Sequence, residues 1–304
     1  MDFALGSFNL PSIFSVKNVL YARLKRKEYV MSICVRPGEV PLTPGLQQKE
    51  PGGLDTTGLM DENLLAPSRG TDTVSKAAKR AGFVGTKRLT MIRQHYAPGG
   101  THLPHKHDLA EQTYYLESGN AQVRVGKAVY DLVPGSVVYI PPRVEHEFKN
   151  NSTEPCVNIL ISVIVDEADM ATLSERRGFC IQPDDIELVP GIATKKDGTP
   201  NTTNLMDESL LHRRNENGTV RLGMIRQWYG VGGRHYPHQH SDNEQAYYLA
   251  RGNARVRVGD ETFDMTAGTV IYLPPNIEHE LVNPGPDTCA NVLIGVQISK
   301  SDIA

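Results

Sequence analysis

Along much of the chain small apolar and polar residues alternate at a period of two: AQVRV from Ala121 and ARVRV from Ala254 each set Ala and Val against Gln or Arg. That period belongs to half-buried strands, with the apolar set facing inward. The strands are short and broken by Gly, Pro and Asn, as in VPGSVVYIPP and TAGTVIYLPP. Long helical patterns are absent from these stretches. The pattern predicts an all-β chain built as an antiparallel barrel or sandwich.

The alternating blocks occur twice. MIRQHYAPGG from Met91 matches MIRQWYGVGG from Met224, and 224 minus 91 is 133. The same offset carries His105 to His238, His146 to His279 and Cys156 to Cys289. Upstream, LMDENLL from Leu59 matches LMDESLL from Leu205, an offset of 146. The first copy therefore holds 146 minus 133, or 13, extra residues within APSRGTDTVSKAAKR, a polar segment expected to form a surface loop or lid. The repeat sets one unit at residues 31–166 and a second at 179–304, joined by a linker at 167–178 expected to be a short helix or turn. Residues 1–30 form an N-terminal extension without a basic region ahead of its apolar run, which argues against a secretory signal and leaves an arm or helix docking on a partner subunit, an amphipathic mitochondrial-type leader, or an upstream extension ahead of Met31.

Composition narrows the partners. With 32 basic and 35 acidic residues the net charge is -3, and no long run of one sign offers a footprint for nucleic acid or an anionic membrane. No run of eighteen apolar residues suits a spanning helix. The expectation is a cytoplasmic protein with a small-molecule substrate. Cys34, Cys156, Cys180 and Cys289 show no CxxC spacing and fit small core residues better than disulfides or zinc ligands.

The chemistry lies in histidines. His105 and His107, like His238 and His240, stand at i, i+2, which puts two imidazoles on one face of a strand. Each pair follows a glycine (Gly99, Gly232), and a further histidine (His146, His279) arrives behind a Pro-Pro turn. The pattern G-x5-H-x-H-x4-Q-x6-G, followed by P-P-x-x-x-H-x3-N, resembles the two signature motifs of the cupin superfamily. Present twice at one offset, it resembles a bicupin over nearly all of residues 31–300.

The resemblance implies two tandem cupin jelly-roll β-barrels, each holding a divalent metal. Carried over, the ligands are His105, His107 and His146 in the first unit and His238, His240 and His279 in the second. The family's acidic ligand falls on Gln112 and Gln245 when counted back from Gly119 and Gly252, whereas Glu111 and Glu244 stand one residue off. Strand neighbours face opposite ways, so without a bulge one of the two points inward. Gln112 shares its face with Tyr114, which favours glutamine as the ligand and leaves the full +2 charge on the ion. Fe(II) is the favoured metal, with Zn, Co, Mn, Ni and Cu as alternatives for an imidazole-rich site.

Around these ligands, Glu145, Glu278, Tyr114 and Tyr247 are candidate catalytic residues, the glutamates as general bases and the tyrosines lining the barrel. His102 and His235 either orient a ligand or cap a strand, and Asn150 and Asn283 satisfy turn backbone. The two rims differ: Arg143 is a candidate carboxylate clamp in the first unit, and Trp228, Tyr236 and Arg234 are candidates to cradle an aromatic acid in the second. The resemblance, with the glutamine departure, implies a non-haem oxygenase acting on a small anionic molecule. Alternatives are a metal-dependent isomerase, cyclase or lyase, and a non-catalytic binding protein. Pairing of cupin units through sheet edges allows a homodimer.

Overall fold

A computed structural model describes residues 33–45, 56–67, 85–170, 177–213 and 218–303. The N-terminal extension 1–30 and the extra segment of the first copy, expected as a loop or lid, lie outside the described residues. The strands of the first half are β1 (Ile33–Val35), β2 (Thr43–Pro44), β3 (Thr56–Leu65), β4 (Leu89–His105), β5 (Ala110–Ser118), β6 (Ala121–Val125), β7 (Ala128–Leu132), β8 (Val137–Ile140), β9 (His146–Lys149) and β10 (Cys156–Ile164). A single turn of helix, α1 (Glu167–Met170), occupies part of the linker. The second half repeats the series as β11 (Phe179–Ile181), β12 (Val189–Pro190), β13 (Thr202–Leu211), β14 (Leu222–His238), β15 (Asn243–Arg251), β16 (Asn253–Val258), β17 (Glu261–Thr266), β18 (Val270–Leu273), β19 (His279–Val282) and β20 (Cys289–Gln297), ending in α2 (Lys300–Ile303).

The strands build two ten-stranded antiparallel sheets, one running β11-β8-β5-β10-β4-β9-β6-β7 with β3 and β2 branching from β4, and the other β1-β18-β15-β20-β14-β19-β16-β17 with β13 and β12 branching from β14. Each curls into a barrel, giving tandem jelly rolls and the all-β class that the alternation predicts. β6 shows why: Ala121, Val123 and Val125 are buried while Gln122 and Arg124 reach outward.

The barrels exchange their first strands. β1 pairs with β18 (Cys34↔Ile271) and β11 with β8 (Cys180↔Val138), so each half completes the other's sheet. The repeat boundaries at 31 and 179 do not express this crossing. All four cysteines are free thiols.

Three cores result. Two fill the barrel interiors: Tyr96, Tyr114, Leu116 and Phe148 in the first, and Tyr229, Tyr247, Leu249 and Leu281 in the second. The third lies between the barrels, where Leu89, Met91, Tyr139 and Ile161 meet Leu222, Met224, Tyr272 and Ile294. Tyr115 and Tyr248 meet edge to face across it, ring centroids 5.9 Å apart. Polar contacts tie the same interface. Arg88 pairs with Asp166 and Asp302, and Arg221 with Asp166 and Asp169.

Candidate metal centres

β4 and β14 bend at Gly99-Gly100 and Gly232-Gly233. Gly99 and Gly232 adopt φ of 73° and 74°, a conformation that costs glycine little. A Cβ at Gly100 would stand 2.8 Å from Ala97 O and 2.9 Å from Gly58 O, so only glycine lets the two strands approach there. Beyond the bend the strand turns in to pair with the strand of the third histidine: His105 opposes His146, and His238 opposes His279. Ligating nitrogens of His105, His107 and His146 come within 4.8 Å of one another, as do those of His238, His240 and His279. Both sequence-predicted triads are thus assembled.

Ring orientation is fixed by the backbone. Nδ1 of His105 faces Leu103 O at 2.7 Å and Nδ1 of His146 faces Val144 O at 3.0 Å. His238 and His279 repeat this with Tyr236 O (2.7 Å) and Ile277 O (2.9 Å). A carbonyl only accepts, so each Nδ1 carries the proton and each Nε2 keeps its lone pair. Burial and neighbouring imidazoles push the rings far below the usual range, His146 and His279 to about 3 and His107 to about 4. Neutral rings with free lone pairs are what a cation requires.

The structure separates Glu111 from Gln112. Gln112 opposes Ser162 and Ile140 on the inner ladder of β5. Its Oε1 is buried without a hydrogen bond, as are Gln245 Oε1, His146 Nε2 and His279 Nε2. Such orphans among converging neutral donors are costly unless something accepts their lone pairs, so the residues fit a divalent cation. Glu111 points the other way and leaves its barrel altogether. Its carboxylate accepts the amides of Val220 (2.7 Å), Arg221 (2.7 Å) and Leu222 (2.8 Å) from the second half, and the Tyr139 hydroxyl at 2.9 Å. Glu244 does the same with Lys87, Arg88, Leu89 and Tyr272. Burial pushes both carboxyls up, while the amides and phenol pull them back. Tyr139 and Tyr272 are thus core residues with a polar task.

Other expected site residues are scattered. Glu145 and Glu278 are exposed and paired with Arg124 (3.0 Å) and Arg257 (2.8 Å). Arg143 is also exposed, 3.3 Å from Glu167, and only its backbone N–H touches the site, donating to His107 O at 2.7 Å. Trp228 lies on the face of β14 that carries Met224 and Arg226, outside the barrel, with the Arg226 guanidinium 6.0 Å from its ring centre. Tyr236 stacks under Arg234 at 5.5 Å and accepts a hydrogen bond from Thr203. Tyr114 and Tyr247 do line the interior, fully buried with ring centres 6.3 Å from His146 and His279. Burial raises both phenols, which keeps them neutral. His102 and His235 stack on His105 and His238 with centroids 4.0 Å apart. Asn150 caps turn backbone as expected, donating to Tyr96 O, Ala97 O and Glu154 O.

The second centre opens into a cavity of about 650 Å³. Its walls include His235, His238, His240, Gln245, Gly223, Gly295, Ser209, Arg213 and Asn243. The last five were not singled out from the sequence. Comparison of the two copies at the fixed offsets carries the signal, because Gly223 and Gly295 replace Thr90 and Ser162, and Asn243 replaces Ala110.

Among the described residues no helix is long and apolar enough to cross a membrane. The sequence matches the family described as Cupin domain twice, at residues 92–162 and 225–295. An uncharacterized protein of Methanocaldococcus jannaschii is 30% identical over 76 residues, which make up 25% of this chain and 60% of that protein. Among solved structures, the putative glyoxylate induced protein of Pseudomonas aeruginosa superposes with a TM-score of 0.66 at 14% identity, covering 91% of this chain and 92% of that one. Oxalate decarboxylase of Lactobacillus farciminis gives 0.62 at 14% identity, covering 91% of each chain. Salicylate 1,2-dioxygenase of Pseudaminobacter salicylatoxidans gives 0.53 at 13% identity, covering 72% of each. At such identities the superpositions speak to fold alone.

Proposed function

Because the chain belongs to the cupin superfamily, as a bicupin with a histidine triad in each barrel, we propose that it is a divalent-metal-dependent enzyme acting on a small anionic organic molecule. Within that reading, oxygenation with Fe(II) is the favoured chemistry. The observation that carries it is the inward Gln112 and Gln245, each presenting a buried, unbonded carbonyl oxygen beside three neutral imidazoles.

His105, His107, His146 and Gln112 would hold one ion, and His238, His240, His279 and Gln245 the other. When bound, the ion supplies a Lewis acid with its whole +2 charge, which favours an anionic substrate, and in the ferrous state it supplies reducing power toward oxygen. The protein's own contribution is positional. The Nδ1–H···O=C contacts fix the imidazole planes, and the neutral glutamine withholds the negative charge that a glutamate would place beside an incoming carboxylate. His235 lines the second cavity beside His238 and His240, and its Nδ1 is buried there without a hydrogen bond. The buried phenol of Tyr247 adds a neutral group to the barrel interior.

Elemental analysis followed by oxygen-electrode screening of small organic acids tests the reading. Two irons per chain and acid-dependent oxygen uptake are expected. Full turnover in anaerobic buffer, with zinc, cobalt or manganese in place, would replace oxygenation by isomerase or lyase chemistry.

A further inference from the structure

The two halves align at an offset of 133 from Met91 onward and of 146 over Leu59–Leu65, so wall positions of one barrel have counterparts in the other. On the inner ladder beside the ligands, β4 and β10 pair Thr90 with Ser162, and β14 and β20 pair Gly223 with Gly295. In the first barrel that rung carries two hydroxyls, and Ser162 Oγ receives the Gln112 amide at 3.5 Å. In the second barrel the rung carries no side chains at all. Backbone geometry does not demand glycine there, since neither residue has a positive φ. Packing does not demand it either. A Cβ at Gly295 would meet no atom within 4 Å, and one at Gly223 would meet backbone oxygens at 3.8 Å, an ordinary contact. Glycine in a strand interior weakens it, so two facing glycines that nothing forces are costs without a structural return. What they leave is volume beside Gln245 and the histidines, in the cavity of about 650 Å³.

The mouth differs in the same direction. His212, Arg213, Asp242 and Asn243 stand where the first unit has Ala66, Pro67, Leu109 and Ala110. Arg213 is half-buried and lines the cavity, and its Nη1 donates to Asn243 Oδ1 at 3.1 Å. The carboxylate at the mouth, Asp242, accepts from Asn243 Nδ2 at 2.7 Å. Ser209 and Asn201 add neutral polar groups to the wall.

We propose that the two barrels are specialised, and that the second is the chamber for an oxygen-rich organic acid: Gly223 and Gly295 make room for it and Arg213, braced by Asn243, grips a carboxylate remote from the metal centre. This rests on the metalloenzyme reading above and assigns its substrate class and its active half. A planar guanidinium fork matches a carboxylate in two hydrogen bonds, and a cavity of this size accepts an acid larger than a two-carbon one.

The test uses the full chain loaded with Co(II), whose uptake is counted first, and two probe acids, oxalate and salicylate, titrated by calorimetry and by the Co(II) absorption spectrum. Wild type is expected to take up two Co(II) per chain and to bind at least one acid at one site. G223T/G295S, which installs the first barrel's own residues, and R213Q are expected to keep the circular dichroism and both metals but to weaken the acid about tenfold or more. T90G/S162G is expected to leave affinity unchanged. Unchanged affinity in both G223T/G295S and R213Q, weakening confined to T90G/S162G, or a fully Co(II)-loaded wild type that binds neither acid would overturn the specialisation. A chain that takes up no Co(II) would overturn the metalloenzyme reading itself and the chamber with it. Should G223T/G295S fail to fold, R213Q at the cavity mouth decides alone.

Discussion

The carboxylate of Glu111 accepts the backbone N–H of Leu222 at 2.8 Å, across 111 positions of sequence and from one barrel into the other. With Val220, Arg221 and the Tyr139 hydroxyl it forms a four-donor clasp, which Glu244 mirrors. Glutamine at 111 would turn an NH2 group toward backbone N–H groups that donate to the carboxylate. E111Q and E244Q are each expected to cost about 1.5–3 kcal/mol, the range for hydrogen bonds to a charged group. Metal content is expected to stay unchanged. Urea unfolding with elemental analysis checks both; loss of one metal per substitution would return the glutamates to the ligand sphere.

That clasp shows where sequence reading stops. Alternation and the fixed offset are local or pairwise regularities, so strands, duplication and histidine triads are legible from them. The parity of Glu111 against Gln112 follows from the period of two, and it places glutamine inward correctly. Where Glu111 goes instead depends on how the barrels dock, which no period encodes. The same holds for Glu145, Arg143, Trp228 and Tyr236. Their residue types suit chemistry, but the partners they take in the fold, Arg124, Glu167, Arg226 and Arg234, are not encoded by any period. The exchanged strands β1 and β11 are three residues each, and nothing local distinguishes pairing at home from pairing with the other barrel. Gly223 and Gly295 were readable only as differences between copies.

Gln112 and Gln245 are expected to tune the metal, with the imidazoles carrying most of the affinity. H146A and H279A should each remove one metal per chain, and the double variant both. Q245E should tighten metal binding by adding a negative ligand, and should weaken the binding of a carboxylate probe. Elemental analysis beside calorimetric titration separates the two effects.

Trp228 is the chain's one tryptophan, and its ring lies outside the second barrel beside Arg226, whose guanidinium bonds Glu208 and, at 3.3 Å, Gly135 O of the first half. Its emission is therefore expected to follow unfolding and the docking of the barrels, and to stay still when a carboxylate enters the cavity. W228F should leave metal and acid binding unchanged. A shift in emission at saturating acid would put the indole back at the substrate site.

Acid should destabilise the metal-free protein through the triads. His146 and His279 titrate near 3 when folded, against 6.5 for the unperturbed side chain, because burial and neighbouring rings oppose their charge. Between those values the unfolded chain binds protons that the folded chain does not. Stability is therefore greatest above about 6.5 and falls as the pH drops toward about 3. H146F/H279F removes two of these groups and is expected to flatten that slope, read as urea midpoints at pH 7, 6, 5 and 4. Added metal should steepen the loss, because protons compete for the same Nε2 lone pairs and the ion leaves as they bind. A slope that H146F/H279F does not change would mean that the other buried imidazoles, His107 and His238 lowered to about 4 and His235 to about 3, set the acid limit of the fold.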